Sequence, residues 1–421
     1  MTSGNTHRLP SDFRLVAAGQ GLSWLGNAFQ PIALSVGILL HGGSVGELGS
    51  LMAVLMVSRT IFTLAGGVWS DRLSPRSVMI WSDLVRAVVA ALTGLVFATG
   101  FASFAMLAPL TVVAGAAGAF FQPAMQSLKP TLVRVDQRQR GNAVLSVLQG
   151  VSLIVGPALA GIIVGFAGAP TGFFINAATY LASCATVWRV RAVVIRGDDR
   201  DSFVTDLRTG WRAMRERDWL FVGVVAAGVY HVANGVLLVL VQVIALRDLG
   251  GAHAFGFIAA AEGAGGLIGS AIAFRVSPKY PLRIGWLTCA LMPLWAAGYV
   301  WPGRLDTVIV TGLIGYAGLM FFSVMWETAI QDHVPHHLLA RVASWDMLVS
   351  FVGMPLGSAL AGPLAAYFGI KPVLLGCAPV LACCALAPLA WRSSRDLRRT
   401  DPEPETGPDP AVVAAADARH T

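Results

Sequence analysis

Residues 66–76 read GGVWSDRLSPR, and about two hundred residues later residues 275–279 read RVSPK. Each short basic turn lies between two long apolar runs. Arg72 and Arg76 flank the first turn, Arg275 and Lys279 the second, and Ser74-Pro75 recurs as Ser277-Pro278. A charged turn that repeats between apolar stretches of helical length points to a duplicated membrane protein. That echo constrains fold, topology and function together.

Composition supports the same reading. Of 421 residues, 55% are hydrophobic and 13% charged, whereas a soluble domain is nearer about 25% charged. So few polar residues could not cover a soluble surface, but lipid removes the difficulty. Twelve apolar runs of helical length fall near 15–40, 48–69, 77–100, 103–125, 142–167, 171–189, 219–246, 254–274, 283–301, 306–330, 342–368 and 372–391. Each approaches the roughly 20 residues that cross a bilayer core. They are too continuous for the alternating strands of a membrane barrel. The fold expected is an all-α integral membrane protein with twelve transmembrane helices in two pseudo-symmetric six-helix bundles.

The net charge of +7 does not indicate nucleic-acid binding, because the basic residues sit in short loops rather than on one face. Their distribution sets orientation instead. One set of loops carries Arg72, Arg76, Lys129, Arg134, Arg138, Arg140, eight arginines within 189–217, then Arg275, Lys279, Arg283 and Arg341. The other set carries only Arg247, Arg304 and Lys371. Both termini are therefore expected in the cytoplasm of a bacterial cell, with the chain multi-pass in the inner membrane. The division expected is a tail at 1–14, a first bundle at 15–189, a cytoplasmic linker at 190–218, a second bundle at 219–391 and a Pro- and acid-rich tail at 392–421 read as disordered. The linker's charge run reads as a solvated amphipathic helix with arginines toward lipid headgroups. The five cysteines lie in apolar runs without metal-ligand spacing, so they read as packing residues, and no metal or cofactor is implied.

A second echo supports duplication. At an offset of about 201, FFQPAMQSLKP (120–130) aligns with FFSVMWETAIQ (321–331), Arg140 with Arg341, and GPALAG (156–161) with GSALAG (357–362). Two such halves place a cavity between them near the bilayer midplane.

These residues resemble the major facilitator superfamily, most closely its drug-exporter branches with macrolide-efflux-like proteins and enterobactin exporters. The loop after the second run matches that family's G-x-x-x-D-R-x-G-R signature at Gly67, Asp71, Arg72 and Arg76, with Ser74-Pro75 making the turn one residue longer. Gly156-Pro157 and Gly161 resemble its antiporter motif G-P-x-x-G-G, with Ala160 in place of one glycine. The resemblance covers nearly the whole chain. It implies a secondary active transporter, not an enzyme, that exports small amphipathic organic molecules by alternating access with proton antiport, without a cofactor and as a monomer. It also implies that Asp71 latches the two halves when the cytoplasmic side is closed. The second-half copy has Phe274 instead of that aspartate. A topology-setting turn alone is the alternative.

Asp83 and Arg86, three residues apart, can pair on one helical face, either within that charge network or as a simple neutralised pair. Proline inside an apolar helix, as in Gly156-Pro157 and Gly353-Met354-Pro355, bends it, and flanking glycines allow close contact across the halves. Ionisable groups deep in a span are functional candidates by default. Glu262, Glu327, Arg59 and His231 are such groups, and Glu262 is the leading proton carrier, because a carboxyl group can take up and release a proton. A structural pair between Glu262 and Arg59 is the alternative. Asn27 stands where family members commonly place an acid, and an amide carries no proton. Trp24, Asn27, Gln30, Tyr230 and Asn234 are candidate cavity residues. The rival functions are a metabolite or siderophore importer or uniporter on the same fold, and a membrane enzyme or sensor. The chain holds no nucleophile, metal or nucleotide motif in a suitable context for the latter.

Overall fold

The computed structural model describes residues 9–69, 74–190, 203–301 and 303–399. The described chain begins with α1 (Ser11–Asn27) and α2 (Phe29–Leu40), two segments of one crossing broken at Ala28. It continues through α3 (Val45–Trp69), α4 (Pro75–Ala98), α5 (Phe104–Leu128) and α6 (Arg138–Arg189). The second half comprises α7 (Phe203–Arg215), α8 (Asp218–Asp248), α9 (Ala252–Arg275), α10 (Pro281–Cys289), α11 (Met292–Gly298), α12 (Leu305–His333), α13 (His336–Phe351), α14 (Gly353–Phe368), α15 (Ile370–Leu386) and α16 (Arg392–Arg395). Ten helical segments among the described residues are long and apolar enough to cross a bilayer. One of them, α6, has 52 residues and turns back at Gly168, so it crosses twice. The pair α10 and α11, broken before Pro293, supplies one more crossing. The path therefore carries the twelve crossings read from the apolar runs.

The duplication is visible in backbone geometry. Gly168 turns the chain with φ 80°, ψ 171°, and its equivalent Gly369 does so with φ 84°, ψ 156°. A side chain there would force the left-handed region that glycine alone enters without strain. Gly100 and Gly303 form a second such pair. All four lie at the end of the molecule opposite the basic turns.

Packing differs between the two ends. Opposite the basic turns, one apolar cluster spans both bundles, joining Phe29, Ile32 and Leu51 to Leu237, Leu240 and Val243. At the basic-turn end the apolar cores are separate. Phe13, Met79 and Val187 belong to one, and Met214, Trp219 and Trp326 to the other. The molecule is sealed at one end and parted at the other.

The seal depends on backbone approach. A Cβ added at Gly161 would lie 2.6 Å from the Ala252 carbonyl oxygen, and one at Gly256 2.5 Å from that of Pro157. Across the other seam, a Cβ at Gly49 would meet the Ser358 oxygen at 2.2 Å, and one at Gly362 the Gly46 Cα at 2.3 Å. Lipid gives apolar helices no hydrophobic reason to associate, so small residues and close van der Waals packing hold such crossings. Gly161 thus makes a cross-half contact. Gly156 instead faces Ala28 within the first bundle, and Gly353 faces the Gly228 carbonyl within the second. These two glycines join helices inside a bundle rather than across the halves.

The linker also departs from its expectation as a solvated helix. Ala213 and Met214 of α7 are buried, and the Trp211 ring packs at a tilt against Trp345 of α13, with centroids 4.8 Å apart. One face of α7 is part of the second bundle's core, while Arg212 stays exposed beside Glu216 at 2.9 Å. The helix α16 lies within the tail expected to be disordered, and Ser394 there accepts a hydrogen bond from Trp286 at 3.2 Å.

If glycine contacts make the seal, Gly161→Leu should part the bundles at that end. A cysteine introduced as Ile38→Cys, buried in the shared cluster, should then react several-fold faster with a membrane-impermeant maleimide applied from that side. An unchanged rate would contradict the assignment.

Candidate functional site

Where the bundles begin to part, a cavity of about 330 Å³ opens on the inner face of the first bundle. That size suits a small organic molecule. Its floor is the shared cluster, through Leu34, Met52 and Phe173. Three helical stripes build its walls. Gln20, Trp24 and Asn27 are spaced i, i+4, i+7 along α1, and Met52, Leu55 and Arg59 are spaced i, i+3, i+7 along α3. Arg86, Ala90 and Thr93 do the same along α4. These spacings put each trio on one helical face. Trp24, Asn27, Gln30 and Arg59 thus reach the site. Tyr230 does not, being buried in the shared cluster, and Asn234 does not line the cavity.

Asn27 accepts a hydrogen bond from the Tyr180 hydroxyl at 2.6 Å. Arg86 pairs with Asp83 on its own helix, and the guanidinium lies 4.4 Å from the ring centroids of both Phe121 and Tyr180. Asp83 is fully buried. An ion pair in this setting is held by hydrogen bonding and by cation–π contact. The second bundle contributes one lining residue, Gln242 of α8. The Ser35 hydroxyl donates to its amide oxygen, while its amide nitrogen donates to the Leu238 carbonyl at 2.7 Å. Ser35 and Gln242 are both buried, so this hydrogen bond ties the two bundles at the cavity floor.

The carboxylates of the second bundle lie elsewhere. Glu262 on α9 accepts from the Trp295 indole at 2.9 Å. It makes no ion pair among the described residues, so it is not the partner of Arg59. Asp346 on α13 has a comparable setting, accepting from Trp326 and Ser350, each at 3.1 Å. Glu327 on α12 is exposed. The His231 ring is bonded to the Ala227 carbonyl one turn earlier at 2.8 Å and packs 4.4 Å from Phe351.

At the first basic turn, Gly67 lies in α3, while Asp71 and Arg72 lie outside the described residues. Ser74 caps α4, accepting from the Ser77 amide at 3.2 Å, with Pro75 at the first helical position. Arg76 donates to the Val187 carbonyl at 3.2 Å and to that of Trp188. A cation there satisfies the last carbonyls of α6 and its negative dipole end. Arg76 therefore joins two helices in addition to any part in orientation. In the second copy, Phe274, the counterpart of Asp71, is exposed.

The sequence over residues 16–358 matches the profile described as Major Facilitator Superfamily. The chain belongs to the major facilitator superfamily. This transporter is 26% identical over 369 residues to the multidrug efflux pump Tap of Mycolicibacterium fortuitum, covering 83% of this chain and 88% of that protein. It is 22% identical over 387 residues to macrolide efflux protein A of Streptococcus pyogenes, covering 89% and 94%. These names belong to the exporter branch that its motifs resemble. Its fold matches that of the nucleoside transporter NupG with a TM-score of 0.73 at 12% identity, covering 90% of this chain and 98% of that one. It matches equally a bacterial homolog of the human lysosomal transporter Spinster, with a TM-score of 0.73 at 14% identity and coverage of 93% and 98%.

Sequence reasoning missed Gln20, Gln122, Asn176, Tyr180 and Gln242 in the transporter's cavity. A signal was present: lone amides at helical spacing inside otherwise apolar runs. Asp346 was missed because it sits near a run's basic end, where a carboxylate reads as a loop residue.

Removing one partner of a buried ion pair strands the other and costs about 3–5 kcal/mol. Asp83→Asn should therefore lower the thermal midpoint of the purified transporter, and Asp83→Asn with Arg86→Gln should regain most of the loss. Equal midpoints for wild type and Asp83→Asn would show that the pair adds nothing.

Proposed function

We propose that this transporter exports small amphipathic organic molecules, drugs or natural products among them, against their gradient by proton antiport. The observation that carries the reading is the cavity at the parting of the bundles, where aromatic and amide side chains share one wall. Such a wall accepts an apolar body and still supplies hydrogen bonds to a polar group. The names of the efflux relatives support the cargo class. The basic loops support placing the open end and both termini in the cytoplasm, with the chain in the bacterial inner membrane as a monomer. Cargo then enters from the cytoplasm and leaves when the seal opens.

Glu262 is the proposed proton carrier. It is held by neutral donors alone, so it can gain or lose a proton without breaking an ion pair. It sits one residue from Gly263, whose Cβ position is 2.4 Å from the Leu153 oxygen across the α6–α9 seam. Movement of that seam therefore reaches the carboxyl group's surroundings directly. Asp71 is the proposed latch of the closed cytoplasmic state, since a carboxylate can bind the positive N-terminal end of a facing helix.

Two outcomes test this. In vesicles with an imposed pH gradient, a panel of amphipathic dyes and antibiotics should be moved uphill, and an uncoupler should abolish the movement. Glu262→Gln should lose that uphill transport but retain gradient-independent exchange of bound substrate. Uphill transport by Glu262→Gln would remove it as carrier, and flux indifferent to the uncoupler would remove antiport. Asp71→Asn should slow turnover at normal membrane insertion; wild-type turnover would refute the latch.

A further inference from the structure

The cavity has an asymmetric charge. Among the described residues, two arginines line it and no carboxylate does. The charge of Arg86 is already answered by Asp83. Arg59 is different. It is exposed, it lies on the lining face of α3 with Met52 and Leu55, and among the described residues it forms no ion pair. A cation at membrane depth is costly unless something of opposite charge or high polarity meets it.

A second observation points the same way. Gln20 and Asn176 line the same cavity and are 3% and 1% exposed. The amide oxygen of each has no hydrogen-bond partner. Buried polar groups are nearly always satisfied, so these two unpartnered acceptors on the lining can take hydrogen bonds from donors of a bound molecule. An amide can offer either its oxygen or its nitrogen, whereas the guanidinium offers donors alone.

We propose that this site selects organic anions: molecules that present a carboxylate or comparable acidic oxygen to Arg59, hydrogen-bonding groups to Gln20 and Asn176, and a flat apolar body to Trp24 and Phe173. A guanidinium matches two acidic oxygens with paired donors, which a neutral or cationic group cannot use. A cationic molecule of the same shape would meet Arg59 without a compensating carboxylate on the lining. The inference rests on the exporter reading only where it calls the bound molecule cargo.

The test uses three probes with one ring system: 2-naphthoate, its methyl ester and 2-naphthylmethylammonium. Binding to the purified full chain in detergent at neutral pH is measured by titration calorimetry. A charge-assisted hydrogen bond is strong enough that naphthoate should bind about tenfold or more tightly than the ester or the ammonium. Arg59→Gln should erase that difference by weakening naphthoate binding, and Arg59→Lys should restore part of it. Equal or tighter binding of the ammonium would overturn the proposal. So would a naphthoate preference that survives Arg59→Gln, or a loss of all three probes in both variants, which would mark Arg59 as structural. The vesicle assay separates this claim from the functional one. Naphthoate that binds selectively but is not driven out by a pH gradient would sink the exporter reading and leave the anion preference intact. Uphill export of ammonium probes, without naphthoate binding, would do the reverse.

Discussion

The close approach of backbones at two glycine seams carries the architecture. Helix α6 meets α9 through Gly161 and Gly256, and α3 meets α14 through Gly49 and Gly362. Each added Cβ would fall within 2.6 Å of a facing backbone atom. In a bilayer, contact this close is what distinguishes helix partners from lipid. The four approaches named lie toward one end, where both bundles share one apolar cluster, whereas the apolar cores at the other end are separate. The cavity lies where the seal stops, and its floor is the last layer of side chains that both bundles share. A two-bundle molecule joined this way has an obvious motion, a rocking that parts the seams as the basic-turn end closes.

The polar groups divide between the bundles. The first holds the cavity, with two arginines, five amides and four aromatic rings on its wall, besides the single amide that the second supplies. The second holds Glu262 and Asp346, each accepting a hydrogen bond from an indole. In the proposed mechanism, substrate recognition and proton exchange occupy different bundles. Coupling would then pass across the seam, and Gly263 places that seam next to Glu262 in the chain. The Ser35–Gln242 hydrogen bond, at the cavity floor, is a polar contact that opening of the seal would break.

Much of this was legible in the sequence. Apolar run length fixes the number of crossings, and the basic-turn echo gives the duplication, which the positive-φ turns at Gly168 and Gly369 repeat in the backbone. Trp24, Asn27 and Gln30, read as cavity residues, and Arg59, read as a proton-coupling candidate, line the cavity because polar or amphipathic side chains on these helices must face protein or a cavity rather than lipid. The same rule did not place Tyr230, since a polar tip is compatible with a buried core, and here its ring joins the shared cluster. Nor could it show which neighbour each glycine touches. Gly156, Gly161 and Gly353 share a motif-like setting, yet only Gly161 faces the other bundle, and the helix rotation that decides this is set by packing. The partner of Glu262 was equally hidden, because Trp295 lies on a broken helix whose indole direction depends on the bend before Pro293.

The most direct test of a two-bundle molecule whose rocking opens the glycine seams is a pair of spin-label distances measured on one preparation. One pair spans α3 and α14 at the sealed end, and the other spans the bundles at the basic-turn end. Saturating substrate together with a change of pH should lengthen the first distance while shortening the second. If both distances change in the same direction, or if the basic-turn end closes with the seams unmoved, the seams are not the gate and the account is wrong.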